Sequence, residues 1–219
     1  EIYRPFLIRN GKQEGLSLIN PDMVGNILFS AGGFEAKYGD KMSSVLDITY
    51  KKIRKSETTF NLSLLGASFS TGGSNKKISY LLGARYKSNQ YVLNSLDTKG
   101  EYKPKFYDIQ TLINYKINKK WEINFLGNIS SNEYNMVPEN RDTDFGTVNE
   151  ALKLRIYFEG QELDKYSTYF GAINTKYNIK NLQLDFTSST YQTFEEENFD
   201  ILGEYWLYQL ENNLGSDDF

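Results

Sequence analysis

From about residue 58 onward, apolar and polar residues alternate with period two over runs long enough to predict β-strands. In the run 78–87, Ile78, Tyr80, Leu82, Ala84 and Tyr86 share one face. Ser79, Gly83, Arg85 and Lys87 take the other, with Leu81 the one apolar intruder. Over 105–117, Tyr107, Ile109, Thr111, Ile113, Tyr115 and Ile117 alternate with Asp108, Gln110, Asn114 and Lys116. Trp121, Ile123, Phe125, Gly127 and Ile129 alternate with Glu122, Asn124, Leu126 and Asn128, and Leu182, Leu184 and Phe186 with Gln183, Asp185 and Thr187. No stretch of comparable length carries a helical stripe, so the pattern predicts a nearly all-β chain.

The connections alternate in length. Ser74–Lys77, Asn118–Lys120 and Lys180–Asn181 are short, whereas 89–104, 132–150 and 194–203 are long and polar. Short turns on one rim and long loops on the other are the build of a transmembrane antiparallel β-barrel, and several runs exceed the roughly 9–11 residues that a tilted membrane strand needs. Aromatic residues mark the strand ends: Tyr91, Tyr102, Phe106 and Tyr107 toward one rim, and Tyr115, Trp121 and Tyr177 toward the other. Parity switches at Gly66-Ala67 within 58–71, which fits either one bulged strand or a tight hairpin, the hairpin preserving the alternation of rims. A soluble β-sandwich also alternates, but both faces of several strands here avoid a packed apolar core.

Composition removes most chemistry. Among 219 residues there is neither Cys nor His, while 17 Tyr, 14 Phe and 2 Trp stand in a chain of net charge -3 and mean hydropathy -0.56. Thiol catalysis, His-based triads and His or Cys metal sites are excluded. No basic excess points to nucleic acid, no run of about 18 apolar residues predicts a membrane helix, and the first residues do not read as a signal peptide. No catalytic residue, metal site or cofactor is expected, and the chain does not read as an enzyme. Glu195-Glu196-Glu197 with Asp200 reads as a solvated acidic loop, and Asp142-Thr143-Asp144 beside Arg141 as an Arg–carboxylate pair pinning a loop. Glu122 and Asp185 fall on the polar strand face, with no spacing that pairs them. Tyr91, Tyr102, Tyr107, Tyr134 and Tyr157 lie in or near the long connections, either as an aromatic girdle or as stacking surfaces for a ligand.

Residues 1–50 break this rhythm. Asn20-Pro21-Asp22 starts a helical turn leading into a strand, Gly32-Gly33 and Gly39 predict tight backbone reversals, and Ser44–Thr49 reads as a buried strand. The string from Asn20 to Lys52, NPDMVGNILFSAGGFEAKYGDKMSSVLDITYKK, resembles the C-terminal end of the plug domain of TonB-dependent outer-membrane receptors, of the SusC-like and carboxypeptidase-regulatory-domain-bearing kinds. Gly32, Gly33, Phe34, Ala36, Tyr38, Gly39, Ser43, Ser44, Val45 and Asp47 carry the resemblance, and their roles are expected to be structural: glycines for sharp turns and close approach, Ser43, Ser44 and Asp47 for hydrogen bonds from plug to barrel wall.

The resemblance implies an internal stretch of a receptor, with residues 1–52 the end of an α+β plug and 53–219 the first strands, about seven or eight, of a 22-stranded barrel. The TonB box and the first half of the plug have no counterpart here. Phe219 follows a non-alternating stretch and reads as an accidental end. By resemblance the whole receptor sits in the outer membrane of a Gram-negative bacterium and imports a nutrient such as a glycan, peptide or siderophore. Its partners would be the inner-membrane TonB complex, outer-membrane lipid and a surface lipoprotein lid; the ligand-binding residues and the nutrient are unknown. The alternatives are a small structural or adhesive outer-membrane barrel and a soluble β-sandwich binding module.

Overall fold

The computed structural model describes residues 17–39, 43–93, 100–147 and 151–210. They are nearly all β, in an antiparallel arrangement. A 3₁₀ turn at Pro21–Met23 leads into β1 (Val24–Ala31), which pairs with β2 (Ser44–Tyr50) in a two-stranded sheet. The second sheet contains β3 (Glu57–Ser63), β4 (Gly66–Ser74), β5 (Ile78–Lys87), β6 (Gly100–Tyr102), β7 (Lys105–Lys116), β8 (Trp121–Pro138), β9 (Arg141–Gly146), β10 (Ala151–Ile179) and β11 (Leu182–Leu210), with one helical turn, α1, at Gln90–Leu93. Its path runs β11-β10-β8-β7-β5-β4-β3, while β6 pairs with β8 and β9 with β10.

The segment 58–71 is a hairpin: Phe60 lies opposite Phe69 and Ser63 opposite Gly66, with the reversal at Leu64-Leu65. Short turns follow β4, β7 and β10. Two of them close on the same tripeptide, Asn-Lys-Lys. Asn75 Oδ1 accepts from the amides of Lys77 (2.9 Å) and Ile78 (2.8 Å), and Asn118 Oδ1 accepts from those of Lys120 (2.8 Å) and Trp121 (3.0 Å). Each Asn side chain thereby supplies the acceptor that the turn's free amides require. The third turn places Lys180 at φ 50.

Contacts divide the chain into two compact units. The first takes in the chain up to Lys87 with Phe106–Asn132 and Tyr166–Phe194; the second comprises Ser88–Lys105, Glu133–Lys165 and the chain from Glu195. Within the first, each long strand contributes about a dozen residues, close to the length of β7. Within the second, β9 lies on β10 from Ala151↔Gly146 to Ile156↔Arg141, and β6 lies on β8. Gly160 interrupts β10 there at φ +92, where a Cβ would run into the Asp200 carbonyl oxygen, so only glycine fits.

Three expectations change. Residues 194–203 are not a loop but part of the 29-residue β11, so Glu195–Glu197 and Asp200 lie on a strand. Much of 132–150 is likewise strand, in β8 and β9. The strand at 44–50 is not buried: Val45 is covered, but Leu46 is exposed, because a two-stranded sheet has no second layer to cover both faces. Phe219 and the chain before Ser17 lie outside the described residues.

Candidate functional site

The sheet of the first unit is inverted relative to a soluble protein. On β5, β7 and β8 the apolar parity faces outward and stays exposed: Ile78, Tyr80, Tyr107 (50%), Ile109 (55%), Phe125 and Ile129 (57%). Phe60 and Leu62 on β3, and Leu182, Leu184 and Phe186 on β11, are exposed too. The opposite parity carries Arg85, Asp108, Gln110, Asn128, Ser130 and Asn132, all buried. In water this arrangement forgoes roughly 1.5–3 kcal/mol for each large apolar side chain left uncovered.

The buried polar face holds the segment 17–23. Arg85 and Asp108 are register partners on β5 and β7 and form a bidentate pair, Nε–Oδ1 at 2.8 Å and Nη2–Oδ2 at 2.5 Å, with both side chains almost wholly buried. The guanidinium has donors left over. Nη1 donates to the Ile19 carbonyl (3.2 Å) and Nη2 to that of Ser17 (3.1 Å). Two residues along β7, Gln110 Oε1 accepts from the Asn20 amide (3.1 Å) and Nε2 donates to the Leu18 carbonyl (3.3 Å). Consecutive backbone groups of Ser17, Leu18, Ile19 and Asn20 are thus bonded by two side chains of the sheet. Asn128 Nδ2 reaches Asp108 Oδ2 at 3.5 Å, and the Phe106 ring lies under the guanidinium, 5.4 Å from centroid to carbon.

Packing completes the grip. Leu18, Asn20 and Met23 are fully buried. Asn20 caps the 3₁₀ turn, its Oδ1 accepting from the Asp22 amide at 3.0 Å. The turn lies against Gly83 so closely that a Cβ there would meet Asn20 Nδ2 at 2.5 Å and Met23 Sδ at 2.7 Å. At the end of β2, burial pushes the Tyr50 phenol up to about 12, with Arg85 opposing and Asp108 adding to the shift.

The residues that carry the resemblance are not brought to this contact. Gly32 takes the positive φ, +83, expected of a sharp turn and its amide bonds to the Ser43 carbonyl (3.1 Å). Gly33 and Gly39 have no positive φ, and a Cβ at any of the three would meet nothing within 4 Å, so close approach does not explain them. Asp47 accepts from Tyr38 Oη at 2.5 Å, a bond inside the 32–47 region instead of one to the wall. Around it Lys37 pairs with Glu35 at 3.0 Å and lies over the Tyr38 ring, and the bond to Asp47 raises the phenol's pKa. Phe34, Ala36, Ser43 and Ser44 make no side-chain bond to the second sheet among the described residues, and Val45 is buried opposite Ser30 of β1. The bonds to the second sheet come from 17–22: those of 17–20 to Arg85 and Gln110, and one from Asn61 Nδ2 to Asp22 Oδ1 at 3.4 Å. Parity had put Arg85, Asp108 and Gln110 on the polar face; their apposition to 17–20 had no local signal.

Other expectations resolve case by case. Asp142 pairs with Arg155, not Arg141: Nε–Oδ1 and Nη2–Oδ2 are both 2.8 Å, and these bonds hold its carboxyl below the ordinary value. Arg141 lies over Phe158 instead. Burial, with Asp164 and Glu197 nearby, raises Glu162. Asp185 meets Asn174 and Lys176 and does not pair with Glu122, and among the described residues no group of three or more acidic side chains is arranged to hold a metal. Phe106 is inward and buried, so it is no girdle residue, whereas Tyr107 is outward beside Tyr86 (5.1 Å). Tyr134 is buried and stacks on Tyr102 at 5.9 Å, Tyr157 meets Trp206 edge-on at 5.1 Å, and Tyr91 is exposed.

No protein-family model matches the chain, and neither a curated protein nor a solved structure does.

Proposed function

We propose that the chain forms part of a TonB-dependent outer-membrane receptor, with residues 53–219 supplying transmembrane barrel strands and 1–52 the end of the plug. One observation carries the membrane half: the exposed face of the first unit's sheet is apolar and the buried face polar. Hydrocarbon outside and a wet, plug-filled lumen inside satisfy both faces at once, and water outside satisfies neither. Supporting it are strand lengths of about a dozen residues in that unit and the short turns that follow β4, β7 and β10. A soluble sandwich would need a second sheet over Phe60, Ile109 and Ile129, and among the described residues nothing covers them. A small closed barrel would need β3 to meet β11, a pairing not found among the described residues.

The receptor half rests on the 20–52 resemblance and on the latch. Arg85, Asp108 and Gln110 hold the 17–23 segment to the wall through groups that can be exchanged for water, as a gate that opens and recloses requires. A ligand or an energised partner opens it only by binding the released state more tightly. The nutrient, a lipoprotein lid and the TonB complex enter as parts of this proposal. The test is fractionation followed by growth: the protein should extract with outer membranes only in detergent. A strain lacking it and a strain with the TonB complex inactivated should lose growth on the same scarce nutrient. Recovery in the aqueous fraction would end the membrane reading, and nutrient use unaffected by either inactivation would end the receptor reading.

A further inference from the structure

The rim of short turns is basic and ordered. Lys76, Lys77, Lys119, Lys120 and Lys180 occupy three turns, all exposed, and none pairs with a carboxylate among the described residues. They are not scattered surface lysines. The Asn75 and Asn118 side chains close their turns in the same way, through backbone amides, so the lysine ammonium groups take no part in the turn's own bonding. Backbone bonds tie successive turns together: the Lys116 amide donates to the Lys77 carbonyl at 2.7 Å, and the Asn178 amide to that of Lys120 at 2.9 Å. The result is a row of ammonium groups along one edge of the sheet.

Beside that row stand outward aromatics. Trp121 meets Tyr177 edge-on at 6.3 Å, and its indole N–H donates to Thr175 Oγ1 at 2.8 Å. An indole with a satisfied N–H and an exposed ring suits the boundary between hydrocarbon and headgroups, so the lysines fall at headgroup level. We propose that this rim docks on the phosphates of anionic phospholipids in the leaflet that the short turns face. Ammonium groups on flexible apolar stems suit this: the stems lie along the apolar face while the charges reach the phosphates. The inference rests on the membrane reading above and adds to it a headgroup chemistry and a side.

The test uses the whole receptor of which the chain forms part, refolded into vesicles of phosphatidylcholine alone or with phosphatidylglycerol, at low and high salt. The variant K76Q/K77Q/K119Q/K120Q keeps Asn75 and Asn118, hence the turns. Half-maximal insertion, read by protease protection, should need on the order of tenfold less lipid when phosphatidylglycerol is present at low salt. High salt and the variant should both abolish that preference. Equal lipid demand in the two vesicle types, or a preference that survives in the variant, overturns the proposal while leaving the membrane reading intact. Failure of the whole receptor to insert into any vesicle overturns the membrane reading and this inference with it.

Discussion

Two stretches of the first fifty residues lie close in sequence and differ in almost every physical respect. Residues 32–47 hold the motif, yet Tyr38, Lys37, Glu35 and Asp47 bond mainly among themselves. Residues 17–23 show only a capped turn in sequence, yet Leu18, Asn20 and Met23 are fully buried and their backbone is held by Arg85 and Gln110. A recognisable motif and a mechanical contact are therefore separate properties. The motif preserves a local loop; the contact joins groups 66 to 92 residues apart.

The cysteine-free chain allows this contrast to be measured with single reporters, Leu18→Cys at the latch and Leu46→Cys in the hairpin, by their labelling rates in the vesicle-inserted protein. The largest effect is expected from Asp108→Ala. It leaves the Arg85 guanidinium buried without its carboxylate, at a cost of about 3–5 kcal/mol, so labelling at position 18 should rise by about two to four orders of magnitude while position 46 hardly changes. Equal acceleration at both would mean that the two stretches move as one.

Alkaline titration comes next. Burial raises the folded pKa of Tyr50 to about 12, above the ordinary phenol value of about 10, so its contribution is fully present below pH 10 and is lost as pH climbs toward 12. Two units correspond to about 2–3 kcal/mol. Urea unfolding of Tyr50→Phe should lack the part of the alkaline decline that this phenol causes, and an unchanged pH profile would refute its burial beside the latch. Asn20→Ala removes the cap of the 3₁₀ turn and should weaken the latch by about 1 kcal/mol, speeding labelling at 18 roughly fivefold. Smallest is Tyr38→Phe, which breaks a part-buried bond within the motif loop and should leave labelling at 18 unchanged. A large effect of Tyr38→Phe at position 18 would erase the distinction between motif and contact.

Much of the architecture was legible in the chain. The alternation in 78–87, 105–117 and 121–129 assigned each side chain to a face, because a strand's parity is local and admits only two answers. The turns at Asn75 and Asn118 were legible for the same reason, since their bonds join residues two or three apart. Less was legible where the chain is polar throughout. The run 194–203, with three consecutive glutamates, reads as a loop until β10 lies beside it and supplies the backbone partners of a strand. Arg155 replaced Arg141 as the partner of Asp142 because the β9–β10 register puts Arg155 opposite Asp142, and register is invisible to a single strand.

The sequence by itself determined the β character, the faces and the short turns, all consequences of interactions within a few residues. It also placed a basic edge at the turns and a motif in the N-terminal stretch. Only the tertiary structure decided that Arg85 stands opposite Asp108, that the pair and Gln110 seize the carbonyls and amide of 17–20, and that Gly83 leaves room for Asn20 and Met23. Those contacts depend on strand order and register, and each buried polar group finds its partner only when the intervening chain has already folded.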